Sequence, residues 1–89
     1  MRYEMSSSLV TERLRDLGHG MEEALLVAWR VAEGDCVTED DVIAEIETDK
    51  ATVEYQCAVT GRIAKVLKAP REIIRVGDAL CVIEKSEPA

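Results

Sequence analysis

Eighty-nine residues, 47% of them apolar, with a formal net charge of −7, describe one small, folded, acidic domain. That charge excludes a nucleic-acid partner, which needs a basic stripe to displace counterions, and it disfavours an anionic membrane surface. No apolar run nears the ~20 residues of a membrane span, and a chain this short buries too thin a core for an elaborate enclosed active site.

Residues 1–8 read as a polar, flexible lead-in; the absence of an apolar stretch and the acids Glu4 and Glu12 suit neither a signal nor a transit peptide. Leu9, Val10, Leu14 and Leu17 then recur at near-helical spacing, with Ser8 as N-cap and Gly18 as stop. Local signal alone predicts a short helix over residues 9–17. The rest of the chain argues differently. Gly18 and Gly20 mark a loop, and Gly34-Asp35, Gly61, Pro70-Arg71 and Gly77-Asp78 mark turns. The stretches between them are short and rich in Val, Ile and Leu. Aromatics are only Tyr3, Trp29 and Tyr55, so the core rests on aliphatic, often β-branched side chains, with Trp29 expected to pack into it. Brief strands with evenly spaced turns predict a β-sandwich or barrel. Ser86-Glu87-Pro88-Ala89 reads as a tail or linker start, leaving 9–85 as the domain. Cys36, Cys57 and Cys81 are widely spaced, lack a Cys-x-x-Cys pair and accompany a single histidine, His19. Reduced thiols, no metal site and a reducing compartment follow.

The chain also echoes itself at an offset of 37 residues. Leu26, Trp29, Val37, Ile43 and Ile46 map onto Ile63, Val66, Ile74, Leu80 and Ile83, while Ala24 maps onto Gly61 and Asp40 onto Gly77. Apolar positions repeated at one offset predict two similar halves packed face to face, each unable to bury its apolar side alone. Where the halves meet, Ile43 to Tyr55 is nearly symmetric about Asp49-Lys50: Ile46 mirrors Val53, Glu45 mirrors Glu54 and Thr48 mirrors Ala51. That pattern predicts a hairpin with Asp49-Lys50 at its tip, although the pair lacks the glycine of the tightest two-residue turns. Glu45 opposite Glu54 is expected to repel by a few tenths of a kcal/mol.

A lone lysine at a tip has an amine with a pKa near ~10.4, protonated and a poor nucleophile by itself. It is, however, well presented to an enzyme that modifies it. Glu47-Thr48-Asp49-Lys50-Ala51 resembles the lipoyl-attachment motif of 2-oxo acid dehydrogenase acyltransferase components. The flanks resemble it too: Trp29-x-Val31-x-x-Gly34-Asp35-x-Val37, Asp41-x-Ile43-x-Glu45-Ile46, Gly61-x-Ile63 and Val76-Gly77. The resemblance spans residues 9–85. It implies an all-β fold, a flattened barrel-sandwich hybrid of two four-stranded antiparallel sheets related by a pseudo-twofold.

It further implies lipoic acid joined by an amide to Lys50 as a swinging arm, in a non-catalytic, monomeric carrier domain of the bacterial cytoplasm or an organelle matrix. The implied partners are a lipoate ligase or lipoyl transferase, a thiamine-diphosphate-dependent 2-oxo acid decarboxylase that acylates the arm, the acyltransferase domain where coenzyme A takes the acyl group, and a dihydrolipoyl dehydrogenase. Asp49 and Ala51 would shape the tip, and Glu47 would help select the ligase. The loop Leu17 to Glu23, with Gly18, His19, Gly20, Met21 and Glu22 at its centre, would meet the decarboxylase. Two departures fall in the first segment: Leu14-Arg15 stands where the family carries Met-Pro, and Glu12 where it carries an apolar residue. The alternatives are a biotinyl carrier of a carboxylase, opposed by Asp49 and Ala51 where methionines are usual, and an unmodified interaction module. No nucleophile–base pair or phosphate loop points to an autonomous enzyme.

Overall fold

The computed structural model describes residues 8–18 and 20–85. In chain order the strands are β1 (Ser8–Arg13), β2 (Glu23–Trp29), β3 (Cys36–Val37), β4 (Val42–Glu47), β5 (Thr52–Gln56), β6 (Gly61–Val66), β7 (Ile73–Arg75) and β8 (Ala79–Lys85). They form two four-stranded antiparallel sheets, ordered β1-β8-β6-β3 and β5-β4-β2-β7. The expected all-β sandwich of two four-stranded sheets is what forms. The local helix over 9–17 does not: residues 8–13 pair with β8 from Ser8↔Lys85 onward, one residue inside the expected lead-in. Leu14 lies past the strand and is buried, whereas Leu17 is 40% exposed in the loop. Tertiary pairing has overridden a weak 3.6-residue spacing. The expectations for 1–7 and 86–89 lie outside the described residues.

The 37-residue echo reaches down to single hydrogen bonds. The β2–β4 ladder shifts register between Leu26 and Ala28, and the β6–β8 ladder shifts between their counterparts Ile63 and Lys65. Gly34 N–H donates to Ile63 O at 2.7 Å, as Arg71 N–H donates to Leu26 O at 2.6 Å. The same left-handed backbone recurs in each half: φ is +96° at Gly34 and +75° at Arg71, +77° at Asp40 and +96° at Gly77. Ala24 is buried, and its counterpart Gly61 has no room for a side chain, since a Cβ there would stand 2.3 Å from Glu84 O.

The core between the sheets consists of matched aliphatic pairs: Leu26 with Ile63, Ile43 with Leu80, Ile46 with Ile83, all at most 1% exposed. Each such side chain contributes about 1.5–3 kcal/mol through burial. Trp29 packs against this core only partly buried, and its indole N–H donates to Lys68 O at 2.8 Å.

Glu12 is the exception among the core positions. It pairs with Cys81 as Tyr55 pairs with Ala44, so the two residues are counterparts in the two halves. Glu12 is 3% exposed. Its carboxylate accepts the Ala58 N–H at 2.5 Å and the Arg15 guanidinium at 3.2 Å. Tyr55 reciprocates: its hydroxyl donates to Arg13 O at 2.8 Å and accepts the Arg15 N–H at 3.1 Å, under a guanidinium 4.4 Å above the ring. The acid that breaks the apolar pattern is therefore a fully bonded latch between β1 and the end of β5.

A lysine at a braced hairpin tip

β4 and β5 are joined by the turn Thr48-Asp49-Lys50-Ala51, in the expected register of Glu45↔Glu54, Ile46↔Val53 and Glu47↔Thr52. Neither Asp49 nor Lys50 is among the residues with positive φ, so this is not the mirror-image turn that an Asn-Gly pair would make. The Thr48 hydroxyl braces it instead. Its oxygen accepts the N–H groups of Lys50 at 3.1 Å and Ala51 at 3.2 Å, and it donates to Ala51 O at 3.1 Å. Ala51 O also accepts the Thr48 N–H at 2.8 Å. Thr48 enters the sequence pattern only as the mirror of Ala51 and a member of the motif, although a threonine opening a turn is a known substitute for a backbone turn contact.

Lys50 and Asp49 are exposed, and among the described residues neither side chain has a hydrogen-bond or ion-pair partner. The amine is thus displayed on a short braced turn with no partner among the described residues competing for it. That fits a residue acylated in trans. It does not fit a catalytic lysine, which needs a desolvating pocket or a cationic neighbour to become nucleophilic. Among the described residues, no three His, Cys, Asp or Glu side chains could together hold a metal ion.

The loop after β1 comes back against this tip. The Asp16 carboxylate accepts the Gly18 N–H at 2.8 Å and the Met21 N–H at 3.3 Å, which folds the loop on itself. A groove of about 480 Å³ separates the two elements, lined by Leu17, Gly18, Gly20, Met21, Glu22 and Glu23 on one wall and by Thr48, Asp49, Lys50, Ala51 and Val53 on the other. The structure so unites two groups that sequence reasoning had proposed separately: Gly18, Gly20, Met21 and Glu22 with Asp49, Lys50 and Ala51. His19 lies outside the described residues. Glu47 is not in the groove. Its neighbour Ile46 faces the core, so Glu47 projects from the outer surface of its sheet.

The anticipated repulsion between Glu45 and Glu54 is answered by Arg30, just past β2. Its guanidinium is hydrogen-bonded to Glu45 and stands 3.6 Å from Glu54, so the cross-strand acids share one cation. Hydrogen bonding to Glu45 is the main cause holding the Arg30 pKa above its ordinary value.

The first and last strands run to the opposite side of the molecule, to Ser8 and Lys85. Val76 N–H donates to Glu22 O on the tip side of β2, and β8 starts just beyond that turn. At about 3.3 Å per residue it runs roughly 20 Å to Lys85, opposite Ser8.

A family model described as "Biotin-requiring enzyme" matches residues 13–83. Over 72 residues, 81% of the chain, the sequence is 44% identical to the lipoamide acyltransferase component of the branched-chain alpha-keto acid dehydrogenase complex of Pseudomonas aeruginosa. It is 39% identical over 72 residues to the dihydrolipoyllysine-residue acetyltransferase component of the pyruvate dehydrogenase complex of Staphylococcus aureus. Each stretch covers 17% of the relative, so the chain spans about a sixth of the length of these proteins. Among solved structures, the fold is similar to the lipoyl domain of the 2-oxoglutarate dehydrogenase complex from Azotobacter vinelandii, with TM-score 0.70 and 22% identity, covering 88% of this chain and 99% of that one. It is also similar to part of the urea carboxylase of Kluyveromyces lactis, with TM-score 0.66 and 20% identity, covering 93% of this chain and 7% of that one.

Proposed function

The chain belongs to the biotinyl/lipoyl-attachment domain family, and from that premise we propose that it is a lipoyl carrier domain with Lys50 as its attachment residue. The observation that carries this reading is the exposed Lys50 amine, without a partner among the described residues, on a turn held by Thr48 and facing Leu17, Gly18, Gly20, Met21, Glu22 and Glu23 across a groove. When bound by an amide to Nζ, lipoic acid supplies a dithiolane that accepts an acyl group from a thiamine-diphosphate-dependent 2-oxo acid decarboxylase, yields it to coenzyme A at an acyltransferase site and is reoxidised by a dihydrolipoyl dehydrogenase.

The domain's own residues do the positioning. Thr48 fixes the backbone on both sides of Lys50, so the amine reaches a modifying enzyme without first ordering the turn. Asp49 and Ala51 keep the side chains flanking it small or hydrated. The groove sets Gly18, Gly20, Met21 and Glu22 close enough to the tip for one partner surface to meet loop and arm together. The ends of β1 and β8 lie on the far side, which leaves the tip clear on a tethered domain, where tethering raises the effective concentration of each encounter. Three free thiols suit a reducing compartment, the bacterial cytoplasm or an organelle matrix. Lipoate is favoured over biotin by the motif around Lys50 and by relatives named as lipoamide and dihydrolipoyllysine acyltransferases.

Protein produced without cofactor is incubated with ATP and lipoic acid plus a lipoate ligase, or with ATP and biotin plus a biotin ligase, and the intact mass is followed. One lipoyl increment, mapped to Lys50 and abolished in a folded Lys50→Arg variant, is the expected result. An unmodified chain beside a modified control lipoyl domain would favour a bare interaction module; a biotinyl increment alone would reassign the carrier.

A further inference from the structure

The loop wall of the groove is moored at both ends. Leu14 N–H donates to Asp78 O at 2.9 Å and Leu14 O accepts the Gly77 N–H at 2.8 Å, while Glu22 O accepts the Val76 N–H at 3.1 Å. Both moorings are on residues 76–78, not on the hairpin that carries Lys50. Between them the Asp16 carboxylate bonds Gly18 and Met21, within the loop itself. Among the described residues, the hydrogen bonds from this loop to the tip hairpin all pass through Arg15. Its backbone N–H donates to the Tyr55 hydroxyl at 3.1 Å, and its guanidinium donates to Gln56 O at 2.7 Å. The same guanidinium donates to Glu12 at 3.2 Å and lies 4.4 Å from the centre of the Tyr55 ring. Tyr55 is buried on the inner face of β5, and Val53, two residues earlier on that face, lines the groove. Leu17, two residues beyond Arg15, lines the opposite wall. One strand thus supplies part of one wall and the peg on which the other wall hangs. The second half holds its own connection reciprocally, since Glu12 takes the Ala58 N–H as Tyr55 takes that of Arg15. Ala58 has only a methyl group to add; the side-chain clamp exists on the tip side alone.

We propose that Arg15, clamped on Tyr55, is the positioning residue that holds the wall of Leu17, Gly18, Gly20 and Met21 beside Lys50, and so sets how well one partner surface meets loop and arm together. The inference rests on the reading of Lys50 as the attachment residue and of loop and arm as met together. Arg15 acts through the backbone that follows it. A guanidinium suits this work because its planar fork reaches Glu12 and Gln56 O at once while its face lies on the ring. The Thr48 brace shares no atom with the clamp, so loss of Arg15 leaves the presentation of Lys50 intact.

Backbone amide relaxation is measured by NMR on the unmodified domain as wild type, Arg15→Ala and Arg15→Lys. Arg62→Ala is the control: it deletes the same charge from a 2.7 Å ion pair with Glu84 on the other sheet. Urea unfolding checks that each variant is folded. The Gly18 and Met21 amides should be rigid in wild type and control, with order parameters near ~0.85, and fall below ~0.6 in Arg15→Ala, while Lys50 and Ala51 stay as they were. The lipoylated forms are then offered to thiamine-diphosphate-dependent decarboxylases for pyruvate, 2-oxoglutarate and a branched-chain 2-oxo acid, and the one that acylates wild type fastest is kept. With a competent loop populated about one-fifth of the time, Arg15→Ala should lose about fivefold in kcat/KM, through KM and not kcat. Arg15→Lys, which keeps the charge but not the fork, should fall between. Ligation of Lys50 should run at the wild-type rate in every variant. A loop already mobile in wild type, or equally rigid in Arg15→Ala, overturns the inference. So does wild-type acylation of Arg15→Ala, or an equal loss in the control or in ligation. A wild-type chain that is never lipoylated beside a modified control domain, or that no decarboxylase acylates, overturns the functional reading instead; the relaxation data then still decide whether Arg15 holds the loop.

Discussion

Replacing Thr48 by valine keeps the shape of the side chain and removes the three hydrogen bonds that brace the tip. The bond it donates to Ala51 O is the least missed, because that carbonyl still accepts the Thr48 N–H. The N–H groups of Lys50 and Ala51 are exposed and rehydrate when the hydroxyl oxygen is gone. Each then forfeits the net value of a protein hydrogen bond, ~0.5–1 kcal/mol, rather than the larger cost of a buried orphan. The turn loses ~1–2 kcal/mol of preference for its bonded form, while the core, sharing none of these atoms, keeps its stability apart from that amount. If a ligase takes only the bonded form, apparent affinity falls with its population, so kcat/KM for modification of Lys50 should drop, by up to about 5–30-fold. The assay is a time course of intact mass with limiting ligase, run for wild type, Thr48→Val and Thr48→Ser. Serine retains the hydroxyl and should recover most of the loss. A Thr48→Val domain that folds and is modified at the wild-type rate would refute the claim that a preorganised turn presents Lys50.

Three further outcomes rest on other parts of the molecule. Arg71 holds φ +75° where its counterpart is Gly34, so Arg71→Gly should relieve a left-handed cost of ~1–2 kcal/mol against ~0.5–1 for the added unfolded-state entropy, a small net gain; a lower melting temperature would contradict this. Glu12→Ala leaves the Ala58 N–H without its acceptor and should cost ~3 kcal/mol in urea unfolding, against ~1 for Glu12→Gln, whose amide oxygen still accepts; equal losses would count against the latch. Burial pushes the Cys81 thiol up to about 12, helped by the Glu12 carboxylate, and burial likewise raises Cys57 and Tyr55. These groups keep their protons when folded after the unfolded chain has lost its own, so their contribution is whole below about pH 8.5 and shrinks as pH rises towards 12. The urea midpoint should fall across that window and fall less in Cys81→Ala; a flat profile would rule the effect out.

Much of the frame was legible because its core obeys one rule twice. Leu26, Ile43 and Ile46 recur as Ile63, Leu80 and Ile83, and a fixed offset between buried aliphatics survives whatever the surface does. The hairpin register was legible for the same reason, since Ile46 and Val53 mirror each other about the tip. Residues 9–17 misled because Leu14 and Leu17 sit beyond the strand, where apolar spacing reports a loop's return to the body rather than a helix. Glu12 was legible as a departure at an apolar position, but its bonding was not: its partner Ala58 is remote in sequence, and a carboxylate is buried only when such partners exist. Arg30 between Glu45 and Glu54 was hidden likewise, because both of its partners lie on other strands. Glu47 was legible in type but misplaced in company. Strand parity from the buried Ile46 would have assigned it to the outer face, away from the groove that Asp49 and Ala51 share with the loop.

Beside the Glu12 and Tyr55 latch, three differences between the halves concern the tip. The loop of residues 14–22 replaces the short connection of residues 57–60, Leu25 replaces Arg62, and a braced turn stands where the other half has Lys85 opposite Ser8. Core positions are bound to one another through the pseudo-twofold and resist change, since altering one leaves a void or a clash against its neighbours. Loops and outward positions are free of that restraint. A duplicated frame can therefore acquire a recognition end at little cost in stability, provided the changes stay on one side of it. The groove and its glycine loop can be altered without touching the core beneath them. Substitutions at Met21 or Glu22 should slow reductive acylation of the lipoylated domain and leave the modification of Lys50 at the wild-type rate; an equal loss in both would count against a separate role for the loop.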